Sequence, residues 1–220
     1  MIISHRGKIS TNQETENTIL NFKRAIELNV SGIETDLRVT KDKEVILYHD
    51  KDVNGKHVKD LFLEEIRAIK HVNLLEDLLK LCENHKTWKG FINLELKTDD
   101  ITEIVKILKR FPQLINRIII SSFIHPVAWN VKKKINVKIA LLYGSYLDYF
   151  GFYLLKKPDF IIFDKDTIYA DSFNKLRKIC NLRKIKILVY GIESPQDISE
   201  LNELNKIDGF IVDCCKDLSF

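Results

Sequence analysis

The sequence predicts a (β/α)8 barrel, and three observations point to it. Short runs dense in Ile and Val alternate with helix-like segments from end to end. The runs number eight, so 220 residues leave roughly 27 per unit, close to a βαβ element. The runs are also continuously apolar, as expected of parallel strands buried on both faces. A doubly wound open sheet competes, but it usually has fewer strands, and its GxGxxG phosphate fingerprint does not occur in the sequence. With so little length to spare, the expectation is one domain over residues 1–220 with only a shortened insertion region.

The expected strands are Ile2–His5, Gly32–Leu37, Phe91–Lys97, Arg117–Phe123, Val137–Tyr143, Phe160–Asp164, Ile185–Gly191 and Gly209–Cys214. Helical spacing of apolar residues marks Glu16–Leu28, Leu74–Asn84, Ile101–Phe111, Ser172–Asn181 and Pro195–Asn205. Pro195 follows Ser194 at a favoured helix start. Leu37–Tyr48 breaks the alternation, because no helix fits there. It reads as a β-hairpin with Thr40–Lys43 as its turn. A centre between Asp42 and Lys43 would set Asp36 opposite His49 on one face, with Glu34 two residues along the same face.

Composition narrows the classes. Apolar residues make up 45% and charged residues 30%, enough for a core without staples. Eight glycines and four prolines exclude collagen-like and linker-rich chains. The net charge of +4 is mild. The run Lys132-Lys133-Lys134 reads as a solvated helix face, so no nucleic-acid partner is expected. No apolar run approaches ~18 residues, so no stable membrane insertion is expected. Cys82, Cys180, Cys214 and Cys215 lack metal-ligand spacing and read as buried thiols. With no signal-peptide layout at Met1–Arg6, the expected location is the cytoplasm.

In a parallel barrel the active site lies at the C-terminal ends of the strands. Glu34, Asp36 and Glu95 stand there within apolar runs, where an unpaired charge is costly. An oxygen-only cluster suits a hard divalent cation such as Mg²⁺ or Ca²⁺. The competing reading is a salt-bridge network with Arg6 and Lys97. His5 and His49 flank the same place and could serve as general base and general acid. His57, His71, His85 and His125 read as surface residues. Arg6 and Lys97 would bind an anion with delocalised charge, such as a phosphate. Together these groups describe phosphate-ester cleavage. A Schiff-base aldolase using Lys97 or Lys165 would not need the acids and ranks below it.

These residues resemble the glycerophosphodiester phosphodiesterase family. The matching pieces are His5-Arg6-Gly7, Glu16-Asn17-Thr18, Gly32-Ile33-Glu34-Thr35-Asp36, His49-Asp50, Leu94-Glu95-Leu96-Lys97, Ser121-Ser122-Phe123 and Asp208–Asp213. The resemblance implies that Glu34, Asp36 and Glu95 hold the metal and that His5 and His49 are the acid–base pair. It implies that Arg6 and Lys97 grip the phosphate, that Asn17 supports the site, and that Phe123 and Tyr190 lie near the alcohol. The sequence departs from the family at Thr15, at Lys51–Gly55 after His-Asp, and at Val189–Glu193. The region between His49 and the third strand, a cap over the glycerol side in the family, is shortened.

The expected activity is metal-dependent hydrolysis of a small-molecule glycerophosphodiester to glycerol 3-phosphate and an alcohol. A lysophospholipase D or phospholipase C-like lipid phosphodiesterase is the alternative. An apolar stretch at Leu147–Leu155 would suit lipid, or simply helix packing. A barrel that binds without catalysis is the third reading, opposed by the complete set of acids and histidines.

Overall fold

The computed structural model describes residues 1–10, 15–144, 156–169, 173–204, 207–213 and 215–218. Its strands are β1 (Ile2–Ser4), β2 (Gly32–Val39), β3 (Val45–Leu47), β4 (Asp52–Val53), β5 (Lys56–His57), β6 (Phe91–Leu96), β7 (Ile118–Ser122), β8 (Lys138–Tyr143), β9 (Phe160–Asp164), β10 (Lys186–Ile192) and β11 (Gly209–Val212). Its helices are α1 (Ile19–Glu27), α2 (Leu63–Arg67), α3 (Leu75–Asn84), α4 (Thr102–Lys109), α5 (His125–Lys132), α6 (Phe173–Arg183) and α7 (Pro195–Leu204).

Eight parallel strands close into a ring in the order β1-β11-β10-β9-β8-β7-β6-β2, with β1 pairing back to β2. All eight expected strands are in place. The ninth strand of the sheet, β3, pairs antiparallel to β2 outside the ring. Leu147–Leu155 and Cys214 lie outside the described residues, as do Ser172 and Asn205 at the ends of two expected helices.

Strand alternation divides the apolar residues into two layers. Ile3, Ile119, Ala140, Leu142, Phe160, Ile162, Leu188 and Ile211 form one buried cluster that fills the lumen. The alternate residues, among them Ile33, Leu37, Ile92, Leu94 and Ile120, pack outward against Phe22, Ile26, Leu78 and Ile104 of the helices. A fully buried Leu or Ile in either layer contributes roughly 1.5–3 kcal/mol. The lumen filling is apolar at the bottom and gives way to polar side chains at the strands' C-terminal ends.

The hairpin after β2 exists, but its register is corrected by one residue. Leu37 pairs with Leu47, Arg38 with Ile46 and Val39 with Val45. The hairpin is therefore centred on Asp42, with a three-residue loop that places Lys43 at φ 68°. Three-residue loops of this kind end on a left-handed residue, usually glycine. Here the Thr40 hydroxyl bridges the loop, donating to Asp42 Oδ1 at 2.6 Å and accepting from Glu44 N at 3.0 Å. Tyr48 consequently faces Asp36, donating its N–H to Asp36 O at 3.0 Å. His49 is not opposite Asp36. It lies beyond the ladder, held by Arg38, whose Nε and Nη2 donate to His49 O at 3.0 and 2.8 Å.

Residues 50–74 form a small unit with its own core of Val53, Val58, Leu61, Ile66 and Val72, packed on Ile46 and Tyr48. At its tip Asn54 and Gly55 have φ 48° and 77°, the paired left-handed residues of a type I′ turn joining β4 to β5.

Candidate active site

The His5-Arg6-Gly7 segment is a single 3-10 turn at the end of β1. Arg6 takes φ 51°, ψ 26°, a left-handed conformation that costs free energy in a non-glycine residue. That geometry directs its backbone N–H onto Glu34 Oε2 at 3.1 Å. Gly7 follows at φ 74°, and a Cβ there would meet Phe22 Cδ1 at 2.9 Å. Asn17 is also left-handed, at φ 56°, and donates its N–H to Arg6 O at 2.8 Å. Asn tolerates this conformation better than most residues. The two strained residues thus brace each other.

Each residue of Glu16-Asn17-Thr18 has its own task. Both Glu16 carboxylate oxygens accept from Arg6 Nη1 at 3.0 Å. Asn17 Nδ2 donates to Asp36 Oδ2 at 3.3 Å, while its Oδ1 accepts from Thr35 Oγ1 at 2.7 Å. Thr18 caps α1 by accepting from Asn21 N.

Glu34, Asp36 and Glu95 converge, with ligand oxygens all within 4.8 Å of one another. They are only 3%, 1% and 8% exposed. The register explains this, because parallel pairing puts Asp36 beside Glu95 and Glu34 beside Asn93. Two cations partly neutralise the cluster. Arg6 Nε lies 3.2 Å from Asp36 Oδ2. Lys97 Nζ lies 2.5 Å from Glu95 Oε1 and 3.4 Å from Asp36 Oδ1. Both readings drawn from the sequence therefore meet in one place: the salt bridges exist, and the acids still outnumber the cations.

Burial pushes the Glu34 carboxyl well above its usual range, and Asp36 and Glu95 push it further. Burial also raises Glu95, although the Lys97 ammonium opposes the shift. Glu34 Oε1 is buried without a hydrogen-bond partner. An all-oxygen set with an orphaned buried oxygen and excess negative charge fits a hard divalent cation.

The two histidines are oriented alike. His5 Nδ1 is 2.6 Å from Asp213 Oδ1, which leaves Nε2 facing the cavity 3.9 Å from Glu34 Oε2. Burial alone would raise Asp213, but its bond to His5 and the nearby Lys8 carry it below its usual value. His49 Nδ1 is 2.9 Å from Asp50 Oδ1. In both, a carboxylate holds Nδ1 and frees Nε2 for proton transfer.

His5, Arg6, Glu34, His49, Glu95, Lys97, Phe123 and Tyr190 line one cavity of about 190 Å³, floored by Asn93, Leu142 and Ile211. Asp36 and Asn17 lie beneath and beside it. The Phe123 and Tyr190 rings meet edge to face at 6.5 Å, and Lys97 Nζ sits 5.7 Å above the Phe123 ring. All ten residues singled out in the sequence therefore belong to one constellation.

Sequence reasoning gave no role to Glu16, Arg38, Asn93 or Asp213. A lone Asn inside the apolar run Phe91–Leu96 is a signal that could have flagged Asn93. His125 is corrected from surface to half-buried: its Nε2 is 2.9 Å from Leu142 O, its ring packs 4.6 Å from Tyr143, and burial lowers its pKa. Lys165 is paired with Asp197 at 3.4 Å, and the balance raises its pKa, the opposite of what an amine nucleophile needs. Cys82, Cys180 and Cys215 are buried, and burial pushes the Cys82 thiol up to about 12.

Comparison with known proteins converges on one family. The sequence pattern of the glycerophosphoryl diester phosphodiesterase family matches residues 5–216. A glycerophosphodiester phosphodiesterase of Caldanaerobacter subterraneus is 29% identical over 238 aligned positions, covering 97% of this chain and 93% of that protein. The solved structure of a glycerophosphodiester phosphodiesterase from Thermotoga maritima has a TM-score of 0.78 at 21% identity, covering 98% of this chain and 95% of that one. An Oleispira antarctica phosphodiesterase, solved with its product sn-glycerol-3-phosphate, has a TM-score of 0.81 at 17% identity, covering 98% and 94%.

Proposed function

The chain belongs to the glycerophosphoryl diester phosphodiesterase family, and on that premise we propose that it hydrolyses small glycerophosphodiesters to glycerol 3-phosphate and an alcohol. The observation that carries this reading is the buried Glu34–Asp36–Glu95 cluster facing two carboxylate-held histidines across one cavity.

Glu34, Asp36 and Glu95 would hold a divalent cation, either Mg²⁺ or Ca²⁺. When bound, it would supply positive charge against the phosphoryl oxygens as charge builds. Arg6 and Lys97 hold the phosphate from the same wall. Arg6 Nε and Nη1 are committed to Asp36 and Glu16, so the guanidinium is fixed before substrate arrives.

His5 Nε2 takes the proton from the attacking hydroxyl: water as attacker gives glycerol 3-phosphate directly, whereas the hydroxyl on the neighbouring glycerol carbon gives a cyclic phosphate that water then opens, the two histidines exchanging roles. The new P–O bond forms as the bond to the leaving alcohol breaks. His49 Nε2 gives its proton to the leaving oxygen. His5 is assigned as base because Asp213, more enclosed than Asp50, steadies the imidazolium that forms. Phe123 and Tyr190 contact the alcohol portion.

Phe123 and Ile124 are 45% and 51% exposed at the rim, which favours a lysophospholipid substrate as the second reading. Incubating purified protein and Mg²⁺ or Ca²⁺ with glycerophosphocholine, glycerophosphoethanolamine and lysophosphatidylcholine tests both. Release of glycerol 3-phosphate from the first two, stopped by chelator, is expected. Turnover of the lysolipid alone would transfer the assignment to the second reading, and no turnover of any diester would end both.

A further inference from the structure

A second cavity, of about 360 Å³, lies beside the first. Lys97 lines both, and the neighbours Phe123 and Ile124 line the first and the second respectively, so the two adjoin at these side chains. The first cavity collects acids; the second collects cations. Arg38, Lys51 and Lys59 line it with Lys97, and Asp99 is the carboxylate among its lining residues.

Arg38, Lys51 and Lys59 carry positive charge without contact ion pairs among the described residues, although Asp36, Asp50 and Asp52 act on Arg38 from farther away. Arg38 spends its donors on two backbone carbonyls, His49 O and Lys97 O at 3.1 Å, and makes no contact ion pair among the described residues. Lys51 and Lys59 are exposed, and among the described residues neither has a carboxylate within salt-bridge distance. His57, the remaining titratable group there, is paired with Asp52.

Their positions are fixed rather than incidental. Val58 N donates to Lys51 O at 3.0 Å, extending the β4–β5 ladder by one rung. The Asn54-Gly55 turn closes that hairpin at one end, and Val53 and Val58 anchor it in the local core. Lys51 and Lys59 therefore project from a rigid base beside the mouth.

We propose that this groove is a subsite for a second anionic group, a phosphate carried by the leaving alcohol. The inference rests on the phosphodiesterase reading above. A substrate phosphate held near Lys97 would leave its alcohol beside Phe123 and Ile124, pointing toward Arg38, Lys51 and Lys59. A phosphorylated alcohol would find its charge met there.

The test compares two phosphonate analogues, which cannot be cleaved because carbon replaces the scissile oxygen. One is the analogue of glycerophosphoglycerol, and the other carries an added terminal phosphate. Their affinities for the full chain with Mg²⁺ are measured by calorimetry, alongside Lys51→Gln/Lys59→Gln. The phosphorylated analogue is expected to bind about tenfold tighter, the scale of a few partly exposed charge pairs. That preference is expected to fall below about twofold in the double variant and to shrink as salt rises. Equal affinities, or a preference that survives the double substitution, would overturn the proposal. Turnover of glycerophosphoglycerol is followed in parallel. Its absence would count against the proposed activity, while the affinity ratio would still decide the subsite.

Discussion

The wall of the barrel mouth formed by β1, β2 and β6 differs in kind from the wall formed by β7 to β11. On the first, Arg6, Glu34, Asp36, Glu95 and Lys97 are each held by at least one other ionised or amide group, with Arg6 gripped by Glu16, Asp36 and Asn17 in turn. On the second, Phe123, Leu142, Tyr190 and Ile211 are held mainly by packing, with an edge-to-face contact between the Phe123 and Tyr190 rings and a hydrogen bond between Tyr190 and Asp164. The paired members, Arg6, Asp36, Glu95 and Lys97, tolerate little change, because removing one leaves another buried and unpaired, whereas Glu34 is the excess charge of the set. A packed apolar wall accepts substitutions of similar volume. The contrast separates the fixed part of the reaction from the adjustable choice of alcohol.

The strongest way to break the comparison is at Glu34. Glu34→Gln should lower turnover about 100- to 1000-fold, the scale of losing a preorganised electrostatic group. Burial and two like-charged neighbours already disfavour the Glu34 carboxylate, so in chelator the variant should melt at or above the wild-type temperature. A thermal scan showing marked destabilisation would mean that the ion pairs, rather than a cation, are the purpose of the cluster.

The histidines come next. His5→Ala should cost on the order of 100- to 10,000-fold in kcat, the usual range for a general base. Asp213→Asn should cost less and leave KM nearly unchanged, because it acts only through His5. The pH–rate profile of that variant should shift on its His5 limb; an unshifted profile would remove Asp213 from the mechanism.

Metal affinity should depend on pH with a defined sign. In the unfolded chain a glutamate ionises near 4.5, whereas folded Glu34 keeps its proton to higher pH. The metal-free fold therefore binds more protons than the unfolded chain above that point and loses stability as pH rises through the window up to the folded value. A cation must displace that proton, so binding should tighten with pH and release protons. Calorimetry in two buffers of different ionisation enthalpy measures the release.

The apolar wall should give the smallest effects. Phe123→Leu and Tyr190→Phe should alter the ratio of kcat/KM between two alcohols by about tenfold or less. Metal dependence should be unaffected. A large loss with every substrate would show that this wall also takes part in the chemistry.

The eight ring strands were legible because burial on both faces leaves unbroken apolar runs. The acids and histidines were legible because they interrupt those runs at one end. The hairpin was legible in place but not in register: a three-residue loop with non-glycine Lys43 in the left-handed region carries no sequence mark, and the rule of opposite faces then missed by one residue. The Asn54-Gly55 turn is a strong hairpin signal, but its flanks, Asp52-Val53 and Lys56-His57, are too short and polar to read as strands. The Arg38 clamp on His49 and the Glu16 grip on Arg6 depend on chain turns that place distant residues in contact, which no local pattern encodes.

The most direct test is a parallel titration of chelated wild type and Glu34→Gln with Mg²⁺ or Ca²⁺, following metal binding and glycerol 3-phosphate release from glycerophosphocholine together. Turnover in the wild type should rise with occupancy of one site, and the variant should bind metal there far more weakly and keep no more than about a hundredth of the turnover. Full turnover by the chelated wild type, or a Glu34→Gln variant as active as the wild type, would contradict the account.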